Sequence, residues 1–69
     1  MNTYIFPYFD YENLFIDLGV VHAASLKEAF AKISQEFELS TVVENQDELD
    51  DAFSENGYYV GEVIEIGEL

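Results

Sequence analysis

A formal net charge of −13 on 69 residues limits what this chain can fold into. Fifteen carboxylates face only two lysines, Lys27 and Lys32, so ion pairing cannot offset the repulsion that opposes a compact state. The fold must keep its acids at the surface and take its cohesion from apolar burial. The material for that is present: hydrophobic residues make up 49% of the chain and aromatic residues 16%, unlike an acidic disordered tail. The length fits one small acidic domain, residues 1–69. At this size apolar burial exceeds chain entropy by little, and a dimer interface would supply a shortfall. Both a monomer and a homodimer are compatible with the sequence.

Cysteine is absent, so disulfides and thiolate metal or redox sites are excluded. The first ten residues hold no Lys or Arg, which argues against a signal peptide. No apolar run approaches the roughly 20 residues needed to span a bilayer. These features predict a soluble cytoplasmic protein. The acidity also argues against anionic membranes and against direct contact with nucleic acid.

Residues 3–9 are rich in β-branched and aromatic side chains and read as a strand. Pro7 has no N–H to give to a ladder, which predicts an edge position or an early end. Residues 10–13 read as a turn, and residues 14–21 as a second strand. There Ile16, Leu18 and Val20 share one face, with Asp17 and Gly19 on the other. A hairpin is the simplest join.

Residues 25–37 read as a helix, with Ser25 and Glu28 as a capping box. Leu26, Ala29, Phe30, Ile33 and Phe37 form its apolar stripe, and Glu28 precedes Lys32 by one turn. Residues 40–44 read as a short third strand. Residues 46–54 read as a second helix, with Asn45 as N-cap and Leu49, Ala52 and Phe53 facing inward. Asn56-Gly57 supplies a left-handed cap. Residues 58–66 read as the last strand, with Tyr58, Val60, Ile64 and Ile66 on one face and Glu62 interrupting them. The expected order is β-β-α-β-α-β, an α+β two-layer sandwich with helices on one face of a mainly antiparallel sheet.

The candidate site is acidic. Glu44, Asp47, Glu48, Asp50, Asp51 and Glu55 fall in one stretch with no basic residue between them. At about 100° per residue, Asp47, Glu48, Asp51 and Glu55 share a helix face opposite Leu49, Ala52 and Phe53. A row of carboxylates on a helix has a charge density of the same scale as DNA phosphates. Glu62, Glu65 and Glu68 extend the charge toward the C-terminus, and Asp10, Glu12 and Asp17 extend it near the hairpin. Five tyrosines are too many to bury with every hydroxyl satisfied; Tyr11 and Tyr59 are the expected interface anchors.

The pattern favours no enzyme and no cofactor. The acids lack the spacing of a calcium loop. His22 is the only histidine and has no nucleophile motif beside it; it is expected to end the second strand half-buried. The four glycines stand alone, without a phosphate-cradling loop. Gly57 reads as a helix cap and Gly61 as a bulge or a point of close packing.

Small size, absence of cysteine, extreme acidity and an aromatic-rich core together resemble the phage-encoded DNA-mimic inhibitors. That group includes anti-CRISPR proteins, anti-restriction proteins and uracil-DNA glycosylase inhibitors. Residues 21–30, Val21-His22-Ala23-Ala24-Ser25-Leu26-Lys27-Glu28-Ala29-Phe30, also resemble the strand-to-helix junction of small phage and mobile-element proteins, some anti-CRISPR proteins among them. The resemblance implies a non-enzymatic mechanism: occupying a Lys/Arg-lined DNA channel of a basic nucleic-acid-binding protein. A Cas protein is the favoured partner, met in the cytoplasm of a host bacterium. The alternative expectation is an acidic adaptor or antitoxin-like module that binds a basic protein without imitating DNA.

Overall fold

The computed structural model describes residues 1–67, in the order β-β-α-α-β-β. Strands β1 (Asn2–Asp10) and β2 (Phe15–Ala23) form the expected hairpin, and helices α1 (Leu26–Glu36) and α2 (Gln46–Glu55) follow. Strands β3 (Tyr58–Val60) and β4 (Ile64–Gly67) close the chain. All pairings are antiparallel. β2 lies on one side of β1; β3 and β4 lie in succession on the other. The expected α+β class is present, with a different element order.

Residues 40–44 are not a strand. The Val43 N–H donates to the Ser34 hydroxyl at 3.0 Å, and that hydroxyl donates to the Phe30 carbonyl at 2.9 Å. The Leu39 N–H bonds the Ser34 carbonyl at 2.9 Å. Val43 is buried while Val42 is exposed. The β-propensity of Thr41, Val42 and Val43 is overridden because this segment's hydrogen bonds go to α1 and not to a sheet edge.

Pro7 sits in the central strand, contrary to the expected edge. Its carbonyl accepts from the Gly61 N–H at 2.8 Å, so its backbone polar groups face the β3/β4 side. That is where the last strand breaks. Tyr8 pairs with Val60 and Ile5 with Ile64, so residues 61–63 oppose only Phe6 and Pro7. The extra residue is a bulge, and it removes the demand for a Pro7 N–H. A Cβ on Gly61 would lie 2.6 Å from Pro7 Cγ, which accounts for glycine there. The bulge also reverses which side chains face inward. Tyr58 and Val60 lie on the core face, whereas Ile64 is opposite Ile5 on the other face. The last strand therefore does not keep Tyr58, Val60, Ile64 and Ile66 together.

Both helices pack on one face of the sheet. Tyr4, Phe6 and Tyr8 project into that layer, and Phe6, Phe37, Phe53 and Tyr58 pack as a ring cluster with centroids 4.8–6.4 Å apart. Such pairs add about 0.5–1.5 kcal/mol each beyond their burial. Gly19 pairs with Phe6 and faces this core. Ile16, Leu18 and Val20 therefore occupy the opposite face, where no helix covers them, and all three are exposed. Leu26, expected inside, is exposed as well. His22 is exposed rather than half-buried, with its Nδ1 3.1 Å from the Thr3 hydroxyl.

The helix boundaries follow from local chemistry. Ser25 Oγ accepts from the Glu28 N–H at 3.2 Å, and Glu28 Oε1 accepts from the Ala24 N–H at 3.2 Å. Asn45 and Glu48 repeat the device: Asn45 Oδ1 accepts from Glu48 N–H at 2.9 Å, and Glu48 Oε1 from Glu44 N–H at 2.8 Å. In both, the return bond lands one residue before the cap. Gly57, at φ +84°, ends α2 as expected. Glu28 and Lys32 are 3.5 Å apart, and the Lys32 ammonium also donates to the His22 carbonyl.

The hairpin turn rests on Asp10, which is buried and, contrary to expectation, does not extend the acidic surface, because its carboxylate is taken up by the turn. Its carboxylate accepts from the Asn13 side-chain amide at 2.7 Å and from the N–H groups of Glu12 and Asn13 at 2.9 and 3.3 Å. The Asn13 amide, reinforced by these N–H groups against the opposing effect of burial, holds the carboxyl below its ordinary value of 3.8. A lowered folded-state pKa stabilises the fold above the unfolded value and loses that contribution as pH falls through the folded one. Thermal melts of wild type and Asp10→Ala should therefore differ most near neutral pH and converge below about pH 4. A difference that is constant or widens on acidification would contradict this role.

Candidate functional site

Helix α2 exists because Leu49 and Phe53, both fully buried, hold one side of it against the core. The opposite side is left to water and carries Asp47, Glu48, Asp51 and Glu55, all exposed, as their shared face predicts. With Asp50, five carboxylates occupy ten residues, roughly 15 Å of helix at about 1.5 Å per residue. That is about one charge per 3 Å, close to the ~3.4 Å per charge along one DNA strand.

The helix is fastened at both ends. At its start, the Gln46 side-chain amide donates to the Gly61 carbonyl and accepts from the Val63 N–H, each at 3.0 Å. One side chain thereby satisfies the strand bulge and locks it to α2. At its end, the Tyr11 N–H bonds the Gly57 carbonyl at 3.1 Å, which brings the hairpin loop beside the helix. Tyr11 and Tyr59, 52% and 63% exposed, border a concavity of about 290 Å³ together with Asp50 and Asp51. The Tyr11 ring stands edge-on to Phe9 at 5.2 Å.

The ten expected residues divide into groups. Asp47, Glu48, Asp50, Asp51 and Glu55 come together with Tyr11 and Tyr59. Two of these acids also serve the fold: Glu48 caps the helix, and Asp50 accepts from the Gln46 amide at 3.0 Å. Among the described residues, Asp47, Asp51 and Glu55 make no side-chain hydrogen bond or ion pair. Glu44 and Glu62 meet elsewhere, at a concavity bordered also by Lys27, Leu26 and Phe30. Glu65 stands apart and accepts from the Tyr4 hydroxyl at 3.3 Å. Glu68 lies outside the described residues. Sequence reasoning missed Gln46: Gly61 signals the bulge, but nothing local shows that a side chain 15 residues earlier reaches it.

Elsewhere, burial chiefly raises the Tyr8 hydroxyl pKa, and Asp17, 3.4 Å away, adds to the effect. Tyr8 therefore stays a protonated donor at neutral pH. Among the described residues no His/Asp/Glu group is arranged to hold a metal ion, and no helix is long and apolar enough to cross a membrane. Compared with protein-family models, with curated proteins and with solved structures, this chain matches none.

Proposed function

We propose that this chain is a non-enzymatic inhibitor that imitates DNA and blocks the positively charged DNA-binding surface of a partner, acting in the bacterial cytoplasm. The observation that carries this reading is the outer face of α2: unneutralised carboxylates at near-phosphate spacing on an anchored helix, bordered by exposed tyrosines. The carboxylates meet lysines and arginines of the partner, and Tyr11 and Tyr59 supply apolar anchoring at the edge. Association is fast and salt-sensitive, because charge complementarity acts mainly on encounter. The resemblance to anti-CRISPR proteins makes a Cas protein the first target to test.

The test uses the quadruple variant Asp47→Asn, Glu48→Gln, Asp51→Asn and Glu55→Gln. Glu48→Gln keeps the oxygen that caps the helix. Loss of the favourable first-turn charges at Asp47 and Glu48, about 0.3–1 kcal/mol each, is offset in part by relief of the 47–51 and 51–55 repulsions. The fold should therefore persist. Binding to a purified Cas effector, restriction enzyme or uracil-DNA glycosylase is measured in competition with duplex DNA. Wild type should be displaced by duplex, and the variant should bind at least ~100-fold more weakly at physiological salt. Undiminished binding by the variant would remove the acidic face from the mechanism. Simultaneous binding of duplex and chain would replace mimicry with the adaptor reading.

A further inference from the structure

We propose that the open face of the sheet is a self-association surface, on which a second copy of this chain packs sheet against sheet. The helices cover only one side of the sheet. On the other side β1 presents Ile5, Pro7 and Phe9, and β2 presents Ile16, Leu18 and Val20 in register with them. Ile64 extends the surface on β4, opposite Ile5, and Tyr59 on β3 lies beside Phe9, so this ring borders both the open face and the concavity at α2. Ile16 is 75% exposed, Leu18 53%, Val20 49% and Ile64 48%. Isolated exposed side chains of this kind are ordinary, but a contiguous face of them is not.

Area and charge both point to a second copy as the occupant. A nine-residue strand at about 3.3 Å per residue is about 30 Å long, and three strand positions at about 4.8 Å span about 14 Å. The footprint is therefore about 400 Å². Two such faces opposed cover about 800 Å² of flat footprint, and the accessible area of the side chains standing above it is larger, near the ~1,000 Å² that a specific interface clears. Fifteen of 69 residues are acidic, yet among the described residues no ladder position on this face carries a carboxylate. Copies of a chain at −13 repel each other in most orientations. Face-to-face stacking is the orientation that relieves this. It sets the sheets about 10 Å apart with both helix layers outside them, so the two acidic helices stand beyond two Debye lengths of ~8 Å. A self-complementary patch of this kind also closes as a two-fold dimer and leaves no second copy of itself exposed.

Sedimentation equilibrium of wild type and of the double variant Ile16→Glu/Leu18→Glu tests the proposal at about 0.15 M salt. Wild type should reach a dimer at micromolar to submillimolar concentration. The variant, with two charges buried in the interface, should dissociate at least ~100-fold more readily while its melting curve stays cooperative. Isotope-filtered NOEs in a mixed-label wild-type sample should connect methyl groups of Ile16, Leu18, Val20 and Ile64 between copies. This readout does not depend on the variant's folding. A wild type that stays monomeric to ~1 mM would overturn the proposal. So would a dimer that survives in the variant, or intermolecular NOEs confined to the free edge of β2. Added salt should strengthen this dimer and weaken DNA-like binding to a basic partner, so the two readings fail separately.

Discussion

Phe53→Ala is expected to bring the domain to the edge of unfolding at 25 °C. Phe53 is fully buried, and the rings of Phe6, Phe37 and Tyr58 lie 6.4, 4.8 and 5.7 Å from it. Truncating a buried phenylalanine costs about 3–5 kcal/mol, through lost transfer energy and the cavity left behind. A chain of this length holds roughly 3–10 kcal/mol in total at about 0.05–0.15 kcal/mol per residue. The effect reaches the acidic face as well. A ten-residue helix with like charges one turn apart has no stability of its own and stays helical only while Leu49 and Phe53 are seated. Urea unfolding followed by circular dichroism measures the cost. A loss below about 1 kcal/mol would mean that the ring cluster is not the core.

The second large effect is at Gly19. In an ordinary strand, alanine in place of glycine stabilises, because the unfolded chain loses freedom. Here the opposite sign is expected. A Cβ at position 19 would lie 2.1 Å from Phe6 Cζ, with two further ring carbons at 2.5 Å. The Phe6 ring is itself fully buried and hemmed in by Tyr8, Phe37 and Phe53, so it has nowhere to move. Gly19→Ala should cost about 2–3 kcal/mol, as overpacking does. The penalty should shrink in a Phe6→Leu background, and a double-mutant cycle isolates that coupling. A neutral or stabilising Gly19→Ala would show that β2 does not face the core through Gly19, and would turn Ile16, Leu18 and Val20 inward.

These two residues mark where sequence reading succeeded and where it stopped. Phe53 was legible: it falls with Leu49 on the apolar side of a helix whose N-cap, Asn45, and terminating Gly57 stand at its two ends. The exposed positions of Asp47, Asp51 and Glu55 followed from the same periodicity, so the candidate site was largely visible. The orientation of β2 was not. A period of two sorts Ile16, Leu18 and Val20 from Asp17 and Gly19, but leaves open which set is inside. The apolar set turned out to be the solvated one.

What the sequence determined by itself is the local structure: two capped helices, a hairpin turning at residues 10–13, and a row of acids on one helix face. Each depends on side chains reaching backbone groups three or four residues away, or on helical spacing, and such interactions need no distant partner. Tertiary structure decided the rest. Pro7 lies at the centre of the sheet because the bulge at residues 61–63 asks for no N–H there. Residues 40–44 leave the sheet because Ser34 takes the Val43 N–H. Phe6 lies across Gly19, and so the apolar side of β2 faces away from the helices. These outcomes depend on residues that meet across long stretches of chain, where packing and hydrogen-bond satisfaction outweigh local propensity.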